Sequence, residues 1–243
     1  MTLDSLPSPS IFAHRGASAH ASENTLAAFE LAREQGADGI ELDVKLSADG
    51  IPVVIHDLTV DRTTDGKGTV ADLSLAALKE LDAGEGQHIP TLAEVFESVG
   101  QDLFINVELT NYSTLKDDLV EKVVEVVKKY KLEESILFSS FVPKNLKRAG
   151  QLLPQTPRGL LTMNNFGGWI LRTFLFRIGD YQALNPPMKN ISKKKIESLH
   201  GIDRRVYAWT INDPDDMRQL ANWGIDGIIT DDPALAIKVL RNI

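Results

Sequence analysis

Glu41 and Asp43 stand two residues apart in the run Gly39-Ile40-Glu41-Leu42-Asp43-Val44, whose other members are small or apolar. On a strand, residues two apart point to one face. At about 3.3 Å of rise per residue their Cα atoms lie roughly 6.6 Å apart, a spacing at which two carboxylates can share one cation. Two acids on one face of so apolar a run are costly to bury unless a metal or another partner compensates. On either side stand two histidines in polar turn contexts, His14 in Ala13-His14-Arg15-Gly16 and His56 in Ile55-His56-Asp57. An unperturbed imidazole titrates at about 6.5, so one of the pair can act as base and the other as acid near neutral pH. Cation-holding acids flanked by two proton-transfer groups read as a reaction centre. A structural ion pair of the acids with Lys45 or Arg15 is the plainer reading of the same residues.

Such groups need strands that end together. A first strand is expected over 8–13, broken by Arg15-Gly16, and a helix follows with Asn24 or Thr25 as its cap and Gly36 closing it. The acid run 39–44 is the second strand. Residues 45–55 read as a hairpin turning at Asp49-Gly50; a two-residue turn there sets Leu46 opposite Val53 and Asp43 opposite His56. Residues 57–89 are turn-rich, with one short helix over 74–81, and hold too little apolar content for a core of their own. They are expected to be a rim insertion. Thr91 to Glu94 forms a capping box.

Beyond this the rhythm is regular. Strand-like runs at 103–109, 136–140, 158–161, 181–184, 206–209 and 227–229 alternate with helical segments, of which 117–130 carries an apolar stripe of Leu119, Val120, Val123, Val124 and Val127. With the first two strands the total is eight, and 243 residues suit one (β/α)8 TIM barrel of the α/β class spanning 1–243. In such barrels the chemistry lies at the C-terminal strand ends. His14-Arg15, Glu41 and Asp43, Glu108, Ser139-Ser140-Phe141 and Trp209 stand there. Glu108 reads either as a third carboxylate of the centre or as an ordinary strand exit, and Trp209 as one of the core aromatics in which barrel strands commonly end. The apolar stretch 166–178, with Trp169, Leu171, Phe174, Leu175 and Phe176, reads as a packed helix; an exposed lip for a lipid-like substrate, or a dimer contact, is the alternative. His20, His88 and His200 belong to no constellation and are expected at the surface, and Lys193-Lys194-Lys195 reads as a solvated helix start.

Composition narrows the field. The chain has no cysteine, so a metal must be held by oxygen or imidazole, and hard oxygen donors point to Mg²⁺ or Ca²⁺. A net charge of −8 argues against nucleic acid as a partner. No apolar run is long enough for a membrane span, and the first ten residues lack a signal pattern, so a cytoplasmic location is expected.

These segments carry a resemblance. His14-Arg15-Gly16, Glu23-Asn24-Thr25, Glu41-Leu42-Asp43-Val44, the stretch from Asp49-Gly50 to His56-Asp57, Ile89-Pro90-Thr91-Leu92, Asn106-Val107-Glu108, Trp209-Thr210-Ile211-Asn212 and Asp226-Gly227-Ile228-Ile229-Thr230-Asp231 resemble the glycerophosphodiester phosphodiesterase family. The resemblance implies a (β/α)8 barrel related to phosphatidylinositol-specific phospholipase C, with an insertion after the second histidine. It implies that Glu41, Asp43 and Glu108 ligate one divalent cation and that His14 and His56 are the general acid–base pair. It also implies that Arg15 contacts the phosphate, that Glu23 supports the centre and that Trp209 walls the glycerol side. Where many members carry a lysine two residues beyond the third carboxylate, this chain has Thr110. The implied reaction is release of glycerol 3-phosphate and an alcohol from a glycerophosphodiester. Attack by water and attack by the glycerol 2-hydroxyl are both open, as are a lysophospholipid substrate, a non-catalytic phosphate-binding barrel and a homodimer.

Overall fold

Alternation decides the second strand: Ile40, Leu42 and Val44 face one way, while Glu41, Asp43 and Lys45 face the other. In the computed structural model, which describes residues 1–114, 117–170, 173 and 176–241, this run is β2 (Gly39–Leu46). Around it stand β1 (Ser10–His14), β3 (Pro52–Val54), β4 (Phe104–Leu109), β5 (Ile136–Ser140), β6 (Arg158–Leu161), β7 (Ala183–Asn185), β8 (Arg205–Ala208) and β9 (Gly227–Thr230). Eight of these run parallel in the order β1-β9-β8-β7-β6-β5-β4-β2, and pairing of β1 with β2 closes the barrel. β1 covers only Gly39–Glu41 of β2; the edge it vacates is taken higher up by β3, antiparallel over Val44–Leu46.

That antiparallel arm differs from the sequence expectation by one residue. Lys45 pairs with Val53 and Leu46 with Pro52, so Ile55, not His56, lies opposite Asp43 and donates its N–H to the Asp43 carbonyl at 2.9 Å. The loop has three residues rather than two: Ser47 N–H donates to the Ile51 carbonyl, and Gly50, at φ +73°, supplies the left-handed residue that a three-residue hairpin needs.

The helices are α1 (Leu26–Glu34), α2 (Leu75–Lys79), α3 (Leu92–Val99), α4 (Leu119–Tyr130), α5 (Pro143–Leu152), α6 (Phe166–Ile170), α7 (Phe176–Ile178), α8 (Lys193–His200), α9 (Pro214–Asn222) and α10 (Pro233–Arg241). Outward-facing strand residues such as Ile40, Leu42, Val107, Phe138 and Ile228 pack against them in the main core, where α4 contributes the apolar stripe read from the sequence. Inside the barrel, Phe12, Phe104, Leu137, Tyr207 and Ile229 form a separate floor, with Phe12 edge-on to Phe104 and Tyr207. Above it the inward residues turn polar: Glu41 beside Asn106, then Asp43 beside Glu108.

Residues 57–89 contain α2, and Val60, Val70, Leu78, Ala83 and Ile89 bury themselves with Val53 and Ile55 of the hairpin arm. Of the stretch 166–178, Leu171, Phe174 and Leu175 lie outside the described residues; Phe176 is buried against Tyr181, whereas Phe166 is 75% and Ile178 82% exposed. No helix among the described residues is long and apolar enough to cross a membrane.

Candidate active site

The register of the barrel brings the acids together. Asp43 and Glu108 are partners across β2 and β4, and Glu41 lies one inward layer below. Glu41, Asp43 and Glu108 each offer a carboxylate oxygen, and these oxygens all lie within 4.8 Å of one another. Glu41 and Asp43 are almost wholly buried. Burial first, then the charges of Asp43 and Glu108, pushes the Glu41 carboxyl well above the usual carboxylate range. Burial and Asp43 push Glu108 up to about 8, against a hydrogen bond from Tyr112 and the charges of Lys45 and Arg15. A set of hard oxygen donors that repel one another in a partly desolvated mouth fits a divalent cation, whose charge removes the repulsion.

His14 ends β1 beside Glu41, its register partner on β2, and places Nε2 4.0 Å from Glu41 Oε2. Its Nδ1 lies 2.6 Å from Asp231 Oδ1. Burial pushes the Asp231 carboxyl up, but hydrogen bonds and charge from His14, with Asn212 and Ser18, bring it below its ordinary value. An ionised carboxylate only accepts, so in the neutral imidazole the proton sits on Nδ1 and Nε2, on the Glu41 side, carries none.

His56 makes the matching contact one residue beyond β3 and Ile55: its Nδ1 lies 2.6 Å from Asp57 Oδ1. The hydrogen bond from Arg62 and then that from His56 hold the Asp57 carboxyl well below the usual carboxylate range. Both imidazoles are therefore presented by an aspartate with the same nitrogen free.

Arg15 and Gly16 both take positive φ after β1, and a Cβ at Gly16 would lie 2.6 Å from that of Ala28. This tight turn points the Arg15 N–H at the Glu41 carbonyl, 2.9 Å away. The Arg15 guanidinium donates to Glu23 Oε1 at 2.9 Å and stands 3.4 Å from Asp43 Oδ2. Thr25 is the helix cap, accepting from Ala28 N, while Asn24 is turned inward and donates to Asp43 Oδ2 at 3.1 Å. Trp209 donates its indole N–H to the Asn185 carbonyl at 2.7 Å and stands edge-on to Phe141, which meets Tyr112 in the same way. These rings line one side of the mouth.

A model of the glycerophosphoryl diester phosphodiesterase family matches residues 14–235. The chain belongs to that family. It is 40% identical over 240 residues to a glycerophosphodiester phosphodiesterase of Caldanaerobacter subterraneus subsp. tengcongensis, covering 95% of this chain and 97% of the relative. Among solved structures, a phosphodiesterase of Oleispira antarctica in complex with the product sn-glycerol-3-phosphate superposes with a TM-score of 0.87 at 34% identity, covering 96% of this chain and 97% of that one. A glycerophosphodiester phosphodiesterase of Thermotoga maritima does so with a TM-score of 0.77 at 32% identity, covering 95% and 98%.

For a member of the glycerophosphoryl diester phosphodiesterase family, the site holds several residues that motif reading left without a role. Asp231 meets His14 Nδ1 and itself accepts from Asn212 Nδ2 and Ser18 Oγ, and Tyr112 O–H donates to Glu108. Lys45, on the same face of β2 as the acids, is buried and donates to the Thr110 carbonyl at 3.1 Å and to its hydroxyl at 2.8 Å. Thr110 in turn donates to the Val44 carbonyl, so the residue at this position ties down a lysine from the neighbouring strand. The alternation that places Glu41 and Asp43 inside the barrel already places Lys45 there. His20 and His200, at the surface, each pair with an aspartate outside this constellation.

Proposed function

We propose that this chain cleaves glycerophosphodiesters to glycerol 3-phosphate and an alcohol, using Glu41, Asp43 and Glu108 to hold one Mg²⁺ or Ca²⁺ and His14 and His56 as the acid–base pair. The observation that carries the reading is the juxtaposition of His14 Nε2 with the carboxylate group, 4.0 Å from Glu41, while Asp231 occupies its other nitrogen. The Oleispira relative, with sn-glycerol-3-phosphate bound as product, supports the substrate class.

A phosphodiester resists attack because its oxygens are already negative. The bound cation would draw charge from those oxygens and polarise the phosphorus. Arg15, anchored by Glu23, presents a guanidinium at the same level for the phosphate. One imidazole takes the proton of the attacking hydroxyl at Nε2, and the other gives its proton to the departing alkoxide; Asp231 and Asp57 stabilise whichever ring is charged at that moment. Trp209 and Phe141 shape the side of the mouth against which a glycerol carbon chain can lie.

The test is release of glycerol 3-phosphate from a panel of glycerophosphodiesters with Mg²⁺, Ca²⁺ and Mn²⁺, run beside chelator-treated protein and the His14→Ala and His56→Ala variants. Turnover should fall by orders of magnitude in each. Activity retained in any one removes the mechanism, and micromolar binding without product would leave a binding barrel.

A lysophospholipid is a second reading of the substrate, favoured by Phe166, 75% exposed and stacked on Trp169 beyond the C-terminal end of β6. Phe166→Ser should then lower turnover of lysophospholipids while leaving that of deacylated diesters unchanged.

A further inference from the structure

Arg62 belongs to the insertion and is exposed to solvent, yet its guanidinium is committed to two carboxylates at once. Nη1 and Nη2 donate to Glu23 Oε2 and Oε1, both at 2.8 Å. Nε and Nη2 donate to Asp57 Oδ2 at 2.6 Å and Oδ1 at 3.1 Å. An exposed ion pair contributes little to stability, but two bidentate forks on one planar group fix distance and angle.

Both carboxylates lead into the candidate site. Asp57 holds His56 Nδ1, and Glu23 accepts from Arg15, which stands against Asp43. His56 and Arg15 are thereby joined through Asp57, Arg62 and Glu23. The need for such a link follows from the fold. His14 is the last residue of a barrel strand, and its aspartate is held by Asn212 and Ser18. His56 lies past the end of β3, and the last ladder bond before it is the one from Ile55 N to the Asp43 carbonyl. Its ring is oriented by Asp57, and Asp57 by Arg62.

We infer that Arg62 is a positioning residue for the cleavage: it clamps Asp57 to Glu23, so that the imidazole on the insertion side is held in register with the arginine and acids on the barrel side. The inference rests on the proposed phosphodiesterase reading. A lysine would not replace Arg62, because an ammonium is a point charge that cannot grip two carboxylates bidentately.

The experiment compares wild type with Arg62→Ala, Arg62→Lys, Asp57→Asn and the Arg62→Ala/Asp57→Asn double variant. It reads kcat and KM on a glycerophosphodiester, the melting temperature, and the titration of the His56 ring by NMR in metal-free, substrate-free protein. Arg62→Ala should lower kcat roughly 100-fold, the scale of loss from a small misplacement of a reacting group, with KM little changed. Arg62→Lys should recover only a small part of that loss, and the double variant should be hardly worse than Asp57→Asn, since the two residues act as one unit. With the Arg62 guanidinium gone, Asp57 should hold the His56 proton more tightly, so the ring should titrate higher in Arg62→Ala than in wild type. A wild-type kcat in Arg62→Ala overturns the clamp, as does a loss explained wholly by a lowered melting temperature, full rescue by lysine, or an unchanged His56 titration. If wild type cleaves no glycerophosphodiester, the functional reading falls, and the His56 titration still decides whether Arg62 sets the state of that ring.

Discussion

Asp43 and Glu108 are register partners on neighbouring parallel strands, so the barrel itself holds two carboxylates side by side, with Glu41 one layer beneath. Burial first, and then the charge of Asp43, raises the titration of both Glu41 and Glu108.

This has a consequence for stability. Glu108 titrates at about 8 in the folded protein against 4.5 for an ordinary glutamate, and Glu41 is raised as well. Between those values the folded state keeps protons that the unfolded chain has released, so the stability of metal-free protein falls as pH rises through that interval. Melting in chelator should drop by about 5 °C or more between the acid and alkaline ends of that interval, and Mg²⁺ or Ca²⁺ should abolish the drop. A metal-free melting temperature that climbs over the same interval contradicts the arrangement.

Glu108→Gln removes one of the repelling charges. At alkaline pH the metal-free variant should melt higher than wild type, while added Mg²⁺ or Ca²⁺ should stabilise it far less. Its turnover should fall at least about 100-fold, which steady-state assay at saturating metal would show.

Asp231→Asn keeps the shape beside His14 but loses the charge that fixes its tautomer. We expect kcat to fall about 100-fold with KM little affected, and His14→Ala to cost more, up to about 10,000-fold. An Asp231→Asn enzyme with wild-type kcat would show that His14 does not depend on this contact.

Tyr112→Phe deletes the hydroxyl that donates to Glu108 without emptying the aromatic row beside Phe141. Calorimetric titration should show divalent-cation affinity weakened roughly tenfold, the usual scale for a group one step behind a ligand. Unchanged affinity would assign Tyr112 to the wall alone.

Some of this was already decided by neighbouring residues. A period of two puts Glu41, Asp43 and Lys45 on one face whatever surrounds them, and Thr91 with Glu94, or Asp213 with Pro214, starts a helix from within its own first turn. The eight strands, the barrel and the residues of the acid cluster follow from such local patterns repeated along the chain. Other features arise only when distant segments meet. Asp231 reaches His14 from 217 residues away because β9 closes against β1, and nothing near either residue announces it. The hairpin register turned on one extra loop residue, which moved His56 out of the ladder and left its ring to Asp57, which Arg62 in turn holds. Periodicity is a property of successive backbone dihedrals and is written locally. The partner of an imidazole or a carboxylate is chosen by barrel closure and rotamer packing, which exist only once the whole chain has folded.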